Sequence, residues 1–297
     1  MAAPFPICYL NGEYLPLHEA RISPLDRGFL FADSVYEVLP AFDGRMFRFR
    51  EHFDRLARGL AELRIQSPHT HAQWRDILNE LIRRNSNADM YLYAQVTRGM
   101  EFGRNHTFPA EAKPTVFAMA SPLPTLDAEG REKGLSAITV EDFRWGRCDV
   151  KTTMLLANVL MKQAAAEAGA QEAIIVRDGE VLEGGSTSIC LVIDGILITP
   201  PNSHRILPGT TRDVVVELAP PDIPVEVRRV SVSELRRADE VWISAATRDV
   251  LPITKIDGVP VGDGRPGPRW HAISDAFLQL RKRLASSPAF EDPAFED

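Results

Sequence analysis

The sequence predicts an α+β fold in two domains, and three observations carry that prediction. Asn-Gly and Asp-Gly pairs recur at Asn11-Gly12, Asp43-Gly44, Asp178-Gly179, Asp194-Gly195 and Asp257-Gly258. Such pairs supply the positive φ angles of two-residue hairpin turns, so antiparallel sheet must be abundant. Between the hairpins, apolar residues recur at helical spacing. Finally, SPLPTLDAEG at 121–130 combines two prolines with a loss of periodicity, which marks a boundary. The expected organisation is a domain at 1–121, a second at 122–285, and an acidic, mobile tail at 286–297.

Taken in order, ICYL and EYLPL flank the first turn, and YEVLPAF and RMFRF flank the second. REHFDRLARGLAELRI follows with Phe53, Leu56, Leu60 and Leu63 on one stripe, then AQWRDILNELIRR with Trp74, Ile77, Leu78, Leu81 and Ile82; both read as amphipathic helices. PTVFAMA is a strand. A helix is expected over 152–168, ended by Gly169 and capped by Thr152 or Thr153. EAIIVR and EVLE, ICLVI and ILIT, ITKI and VPV form the remaining hairpins, with helices over 211–219 and 270–285.

A formal net charge of −7 argues against general binding to nucleic acid or an anionic membrane, since both need a basic field. Cys8, Cys148 and Cys190 are far apart and form no CxxC pair, so neither a disulfide framework nor a zinc site is indicated. No apolar run approaches the roughly 18 residues of a membrane span, and the N-terminus lacks a secretory pattern. The chain reads as soluble and cytoplasmic.

GDGRPG at 262–267 matches GxGxxG, yet it contains Pro266 and follows a hairpin instead of opening a helix in a βαβ unit, so a dinucleotide site is not expected there. His69 and His71 form an HxH with no third ligand in view, and no metal is expected. Ser186 in GGSTS lacks the GxSxG elbow of a serine hydrolase.

Lys151 is a sharper candidate, because in RWGRCDVKTTMLLANVL it falls at a junction between Val150 and a threonine pair, two residues after Asp149 and just before an expected helix, where a lysine kept only for solubility does not usually lie. LPGTTRDVVVEL at 207–218 brings free amides and hydroxyls together at a helix N-terminus, a favourable place for an anion. In VLEGGSTS, Glu183 precedes two glycines and three hydroxyl residues. Taken alone, each is better read plainly, as a solvent-exposed lysine, an ordinary Thr cap and a turn acid.

In order, DRGFLFADSVYEV, EHFDRL, YLYAQVTRG, RWGRCDVKTTMLLANVL, EAIIVRDGEVLEGGSTS and ILPGTTRDVV resemble the fold-type IV family of pyridoxal-phosphate enzymes, and most closely its D-amino-acid transaminases. The resemblance implies a smaller N-terminal α/β domain, a larger β-rich cofactor domain and a homodimer. It implies that Lys151 holds pyridoxal 5′-phosphate as a Schiff base and then carries protons as general acid and base. Glu183 would pair with the pyridine nitrogen, and Leu207 would pack on the ring. The phosphate would meet Arg55, Thr210, Thr211 and the Gly185-Ser186-Thr187 loop. Helical periodicity alone puts Arg55 in solvent; the resemblance puts it in the cofactor cleft. ISAATRD at 243–249 replaces the family's hydroxyl-rich segment, so Ala245 and Ala246 offer only backbone amides and Thr247 the nearby hydroxyl.

For the substrate carboxylate, the resemblance implies a clamp of Arg104 and His106 in GRNHTF, reaching across the dimer, with Tyr36 from VYEV. Arginine suits a carboxylate because its donors are forked and always charged. The loop RGMEFGR is one residue longer than in the typical member. The expected activity is transfer of the amino group of D-amino acids such as D-alanine or D-glutamate to 2-oxo acids such as 2-oxoglutarate. The alternatives are a branched-chain or (R)-amine transaminase and, after them, an aminodeoxychorismate lyase or a cofactor-free binding protein.

Overall fold

Every Asn-Gly and Asp-Gly pair named above is a hairpin turn in the computed structural model, which describes residues 3–124 and 128–286. Asn11, Asp43, Asp178, Asp194 and Asp257 have φ of 50° to 55°, and the glycines after them have φ of 74° to 104°. Few residue types tolerate two successive left-handed conformations, so these dipeptides fix where the strands reverse.

The chain divides into two compact units. Among the described residues the first comprises 3–124, 150–154 and 283–286. Its sheet contains β1 (Ile7–Leu10), β2 (Glu13–Pro16), β3 (Ser34–Phe42), β4 (Arg45–Met46), β5 (Met90–Thr97) and β6 (Thr115–Pro122), in the order β2-β1-β6-β5-β3-β4 with every neighbour antiparallel. Helices α1 (Arg27–Phe31), α2 (Phe49–Glu62) and α3 (His71–Asn85) accompany it. Phe53, Leu56 and Leu60 of α2 and Trp74, Leu78, Leu81 and Ile82 of α3 are buried, as their stripes predict, whereas Ile77, and Leu63 at the C-cap of α2, are only half-buried. Gly59 lets α2 lie close on β3, since a Cβ there would sit 3.2 Å from Val35.

Residues 150–154 return to this unit, which a linear cut at 121/122 does not provide for. Thr152 forms a β-bridge with Val35, and the Tyr36 amide donates to the Lys151 carbonyl at 3.0 Å. This pairing holds the segment extended, so the helix expected from 152 begins only at Leu156 and its cap position, Leu155, makes no side-chain bond. Neither threonine caps it: Thr153 is 2.5 Å from the Ser34 hydroxyl, and Thr152 Oγ1 accepts from the Met154 amide at 3.3 Å.

The second unit comprises 128–149 and 155–282 among the described residues. Its helices are α4 (Ala128–Lys133), α5 (Leu156–Glu167), α6 (Thr210–Glu217), α7 (Val232–Arg236) and α8 (Pro268–Ser286), the last running on into residues counted with the first unit. Its strands are β7 (Leu135–Glu141), β8 (Glu172–Arg177), β9 (Glu180–Gly184), β10 (Ser188–Ile193), β11 (Ile196–Thr199), β12 (Val225–Val227), β13 (Val230–Ser231), β14 (Glu240–Ala245), β15 (Asp249–Ile256) and β16 (Val259–Pro260). They form one mixed sheet in the order β12-β11-β10-β14-β15-β7-β8-β9-β13, with β16 on β15. Strand alternation sends Ile174, Ile189, Leu191, Val241 and Ile243 into one core, and Ala173, Ile175 and Leu182 into another, against Met161 and Ala165 of α5.

GDGRPG follows the antiparallel β15–β16 hairpin, as its sequence context predicts, and leads into α8 outside any βαβ unit. The first amides of that helix are already taken, because Glu240 accepts from Arg269 N at 3.0 Å and Trp270 N at 2.8 Å. An internal carboxylate thus occupies the place where a phosphate would bind. Residues 125–127 of the proline-containing boundary and all of the acidic tail except Ser286 lie outside the described residues.

Candidate active site

In the first unit Lys151 is half-buried, with Nζ 4.3 Å from the centre of the Tyr36 ring. Tyr36 stacks on Tyr93 at 5.4 Å, and Tyr93 is fixed by its hydroxyl donating to Gln95 at 2.8 Å. Successive residues of β3 face opposite ways, so Tyr36 meets the lysine while Glu37 meets α2. There Arg55 is only 7% exposed, correcting the solvent position that periodicity alone suggests. It donates to the buried Glu37 carboxylate through Nε at 2.6 Å and Nη2 at 2.8 Å, and His52 Nδ1 lies 2.7 Å from the same group. Burial acts to raise the Glu37 carboxyl, but the Arg55 charge and bond and the His52 bond outweigh it and hold it below the usual range.

Burial pushes the His52 imidazole below its ordinary value of 6.5, against the pull of Glu37 and helped by the nearby charges of Arg55 and Lys151. The unfolded chain therefore binds a proton near pH ~6.5 that the folded chain declines, so stability is complete above that pH and declines below it. The thermal midpoint should drop between about pH 7.5 and 5.5, and drop less in His52→Gln. Equal slopes in the two proteins would show that His52 is not the titrating group.

Arg104 and His106 are exposed on the loop after β5, gathered around one ring. Phe31 lies 5.1 Å from the Arg104 guanidinium and 5.3 Å from the His106 ring.

In the second unit Glu183 is buried on β9. Arg144 donates to it, and the Leu207 amide lies 3.2 and 3.3 Å from its two oxygens. Arg144 is held in turn by Asp142, at 3.0 and 3.1 Å, and by the Arg205 carbonyl at 3.0 Å. Burial raises the Glu183 carboxyl despite the opposing Arg144 charge. The Gly184–Thr187 turn is tied to Glu172, a fully buried carboxylate that accepts from Gly185 N and the Thr187 hydroxyl, each at 3.2 Å, and from Lys162 at 2.9 Å. Ser186 is exposed at its tip. Helix α6 opens at Gly209, which offers no capping side chain to the first-turn amides around Thr210 and Thr211. A Cβ at Gly209 would collide with the Ser188 hydroxyl. Ala246 and Thr247, both half-buried, lie in the turn between β14 and β15.

His69 and His71 are engaged separately, with Tyr9 at 3.3 Å and Asp54 at 3.0 Å. Among the described residues no three His, Cys, Asp or Glu side chains are grouped to hold a metal, and no helix is long and apolar enough to cross a membrane.

Residues 34–256 match the amino-transferase class IV family. The chain belongs to that family. It is 39% identical over 271 residues to a D-alanine aminotransferase of Staphylococcus haemolyticus, covering 91% of this chain and 95% of the relative. It is 40% identical over 268 residues to one of Bacillus licheniformis, covering 90% and 94%. Among solved structures, the branched-chain amino acid aminotransferase of Escherichia coli superposes with a TM-score of 0.88 at 27% identity, covering 97% of this chain and 98% of that one. A second branched-chain amino acid aminotransferase, from T.th. and solved with pyridoxamine 5′-phosphate, gives 0.87 at 26%, covering 98% of each. The protein is thus a two-domain α+β class IV aminotransferase of fold type IV.

Sequence alone does not point to the groups that hold this aminotransferase's candidate residues: Glu37 and His52 for Arg55, Arg144 for Glu183, and Glu172 for the glycine turn. Arg144 stands in RWGRC and Glu37 in VYEV, two of the segments that carry the family resemblance. An acidic or basic residue inside such a segment was the available signal.

Proposed function

We propose that this aminotransferase uses pyridoxal 5′-phosphate to transfer the amino group of D-amino acids, such as D-alanine or D-glutamate, to 2-oxo acids such as 2-oxoglutarate. The observation that carries this reading is the exposed Arg104–His106 pair held around Phe31, a forked cation beside a second donor suited to a substrate carboxylate. The D-alanine aminotransferases at 39% and 40% identity support the same reading. The branched-chain alternative rests on the solved structures, at 26% to 27% identity.

The donor set fits the cofactor. A half-buried amine, Lys151, suits its aldehyde. A buried carboxyl, Glu183, suits its ring nitrogen, and an α6 N-terminus without a capping side chain, together with Arg55, suits its phosphate. When bound, the group supplies an electron sink for the bond broken at the substrate α-carbon. Lys151 would form the covalent link and move the proton at that carbon. Glu183, kept in place by Arg144 and the Leu207 amide, would hold a proton at N1 of the ring. Thr210, Thr211, Gly185, Ser186, Thr187, Ala246 and Thr247 would surround the phosphate. Since the Thr187 hydroxyl bonds Glu172, its main chain is the part left to serve. Leu207 would pack on the ring, and Tyr36 would border the substrate.

The homodimer belongs to the same proposal. The Arg104 loop exposes Phe102 (88%), Phe108 and Met100, and on α5 the stripe Leu156 (70%), Val159 and Leu160 faces outward. Contiguous apolar residues of this kind mark interaction surfaces. The three cysteines are buried and unbridged, which agrees with a cytoplasmic setting.

The test is a donor panel with 2-oxoglutarate. D-alanine should be turned over about 10²-fold more efficiently than L-leucine. Faster turnover of L-leucine would favour the branched-chain reading.

A further inference from the structure

Between β5 and β6 the chain runs from Arg98 to Pro114 with no helix or strand beyond an isolated bridge at Met100. Unstructured stretches of this kind are ordinarily mobile, yet this one carries Arg104 and His106, which must be held still to orient a substrate. What fixes it is a side chain distant in sequence. Arg27, in α1, is 3% exposed. Its Nη1 donates to the Asn105 carbonyl at 2.6 Å, the Glu101 carboxylate at 2.9 Å and the Thr107 carbonyl at 3.3 Å, and Nη2 donates to the His106 carbonyl at 3.3 Å.

Arg27 is itself anchored. Its Nε donates to Asp33 at 2.9 Å, and Asp33 is gripped by both arms of Arg98 at 2.7 and 2.9 Å. Arg98 in turn donates to the Leu63 and Arg64 carbonyls beyond the end of α2, at 2.7 and 3.1 Å. The Arg27 guanidinium also lies 4.9 Å from the Phe31 ring, the ring around which Arg104 and His106 gather. A chain of charged bonds therefore runs from α2 through Arg98, Asp33 and Arg27 to the carbonyls of three consecutive loop residues.

We propose that Arg27 is the positioning residue of the substrate clamp: it fixes the backbone at 105–107, so that Arg104 and His106 are presented in one arrangement. This rests on the reading of that pair as the carboxylate clamp. Arg27 touches neither substrate nor cofactor; it acts through the loop. A lysine cannot replace it, because one ammonium cannot reach Asp33, Glu101 and three carbonyls at once.

The experiment compares wild-type holoenzyme with Arg27→Lys and with Glu101→Gln, a milder change within the loop that keeps the test open if the first variant does not fold. Arg27→Lys should raise KM for D-alanine about tenfold or more while kcat stays within about threefold. Amide hydrogen exchange over 101–107 should speed up by about tenfold, with α2 and β3 unchanged. Glu101→Gln should shift both readouts in the same direction, by about two- to fivefold. Unaltered exchange in the loop would overturn the proposal, and so would faster exchange with unaltered KM, or a loss confined to kcat. A wild-type enzyme that ignores D-alanine would instead overturn the function reading; the exchange arm alone would then decide whether Arg27 orders the loop.

Discussion

Lys151→Ala should abolish multiple-turnover transamination, lowering it by roughly 10⁴-fold or more, since in the proposed function this one group would serve as both covalent anchor and proton carrier. The structure makes this a clean experiment. The Lys151 carbonyl accepts from Tyr36 and the neighbouring Thr152 bridges Val35. Both contacts are made by backbone and survive truncation of the side chain. What is lost besides chemistry is the cation over the Tyr36 ring at 4.3 Å, worth about 0.5 to 2 kcal/mol. The variant should therefore fold, with a melting curve near that of the parent. The visible absorbance of the reconstituted protein and its rate with D-alanine are the measurements; retention of both would remove Lys151 from the mechanism.

Arg104→Ala should lower kcat/KM for D-alanine by roughly 10²-fold or more, because on the proposed reading up to two charge-assisted hydrogen bonds to the carboxylate would be lost, each worth about 1.5 to 3 kcal/mol. Its effect on an amine without a carboxylate, (R)-1-phenylethylamine, should be much smaller. The resting spectrum should not change, as Arg104 is exposed and lies over the Phe31 ring. Equal losses with the two donors would make the GRNH segment a structural loop and favour the branched-chain reading. Together with Arg27→Lys this separates two roles. On the proposed reading, Arg104→Ala eliminates the donor itself, whereas Arg27→Lys leaves the donor present and misplaced.

What the chain encodes within a few residues could be read without a structure. The hairpin turns were legible because Asn-Gly and Asp-Gly accept a backbone conformation that other pairs resist, a local steric property. Helices α2 and α3 were legible because Phe53, Leu56 and Leu60, and Trp74, Leu78 and Leu81, fall on single faces. Lys151 and Glu183 were legible as candidates through the motifs around them. The pairing of charges, by contrast, emerged only with the folded chain. Arg55 reads as a solvent residue until Glu37 is brought beneath it by the packing of α2 on β3. The start of α5 was misplaced because Thr152 and Thr153 could have capped it, but pairing with β3 competed for the same backbone and held it extended. Arg144 and Glu183, or Arg27 and the carbonyls of 105–107, are far apart along the chain. Nothing in local propensity selects such partners. A buried charge must be matched by whatever the fold delivers to it, because leaving it unpaired costs several kcal/mol, and that matching is settled only when the sheet closes around it.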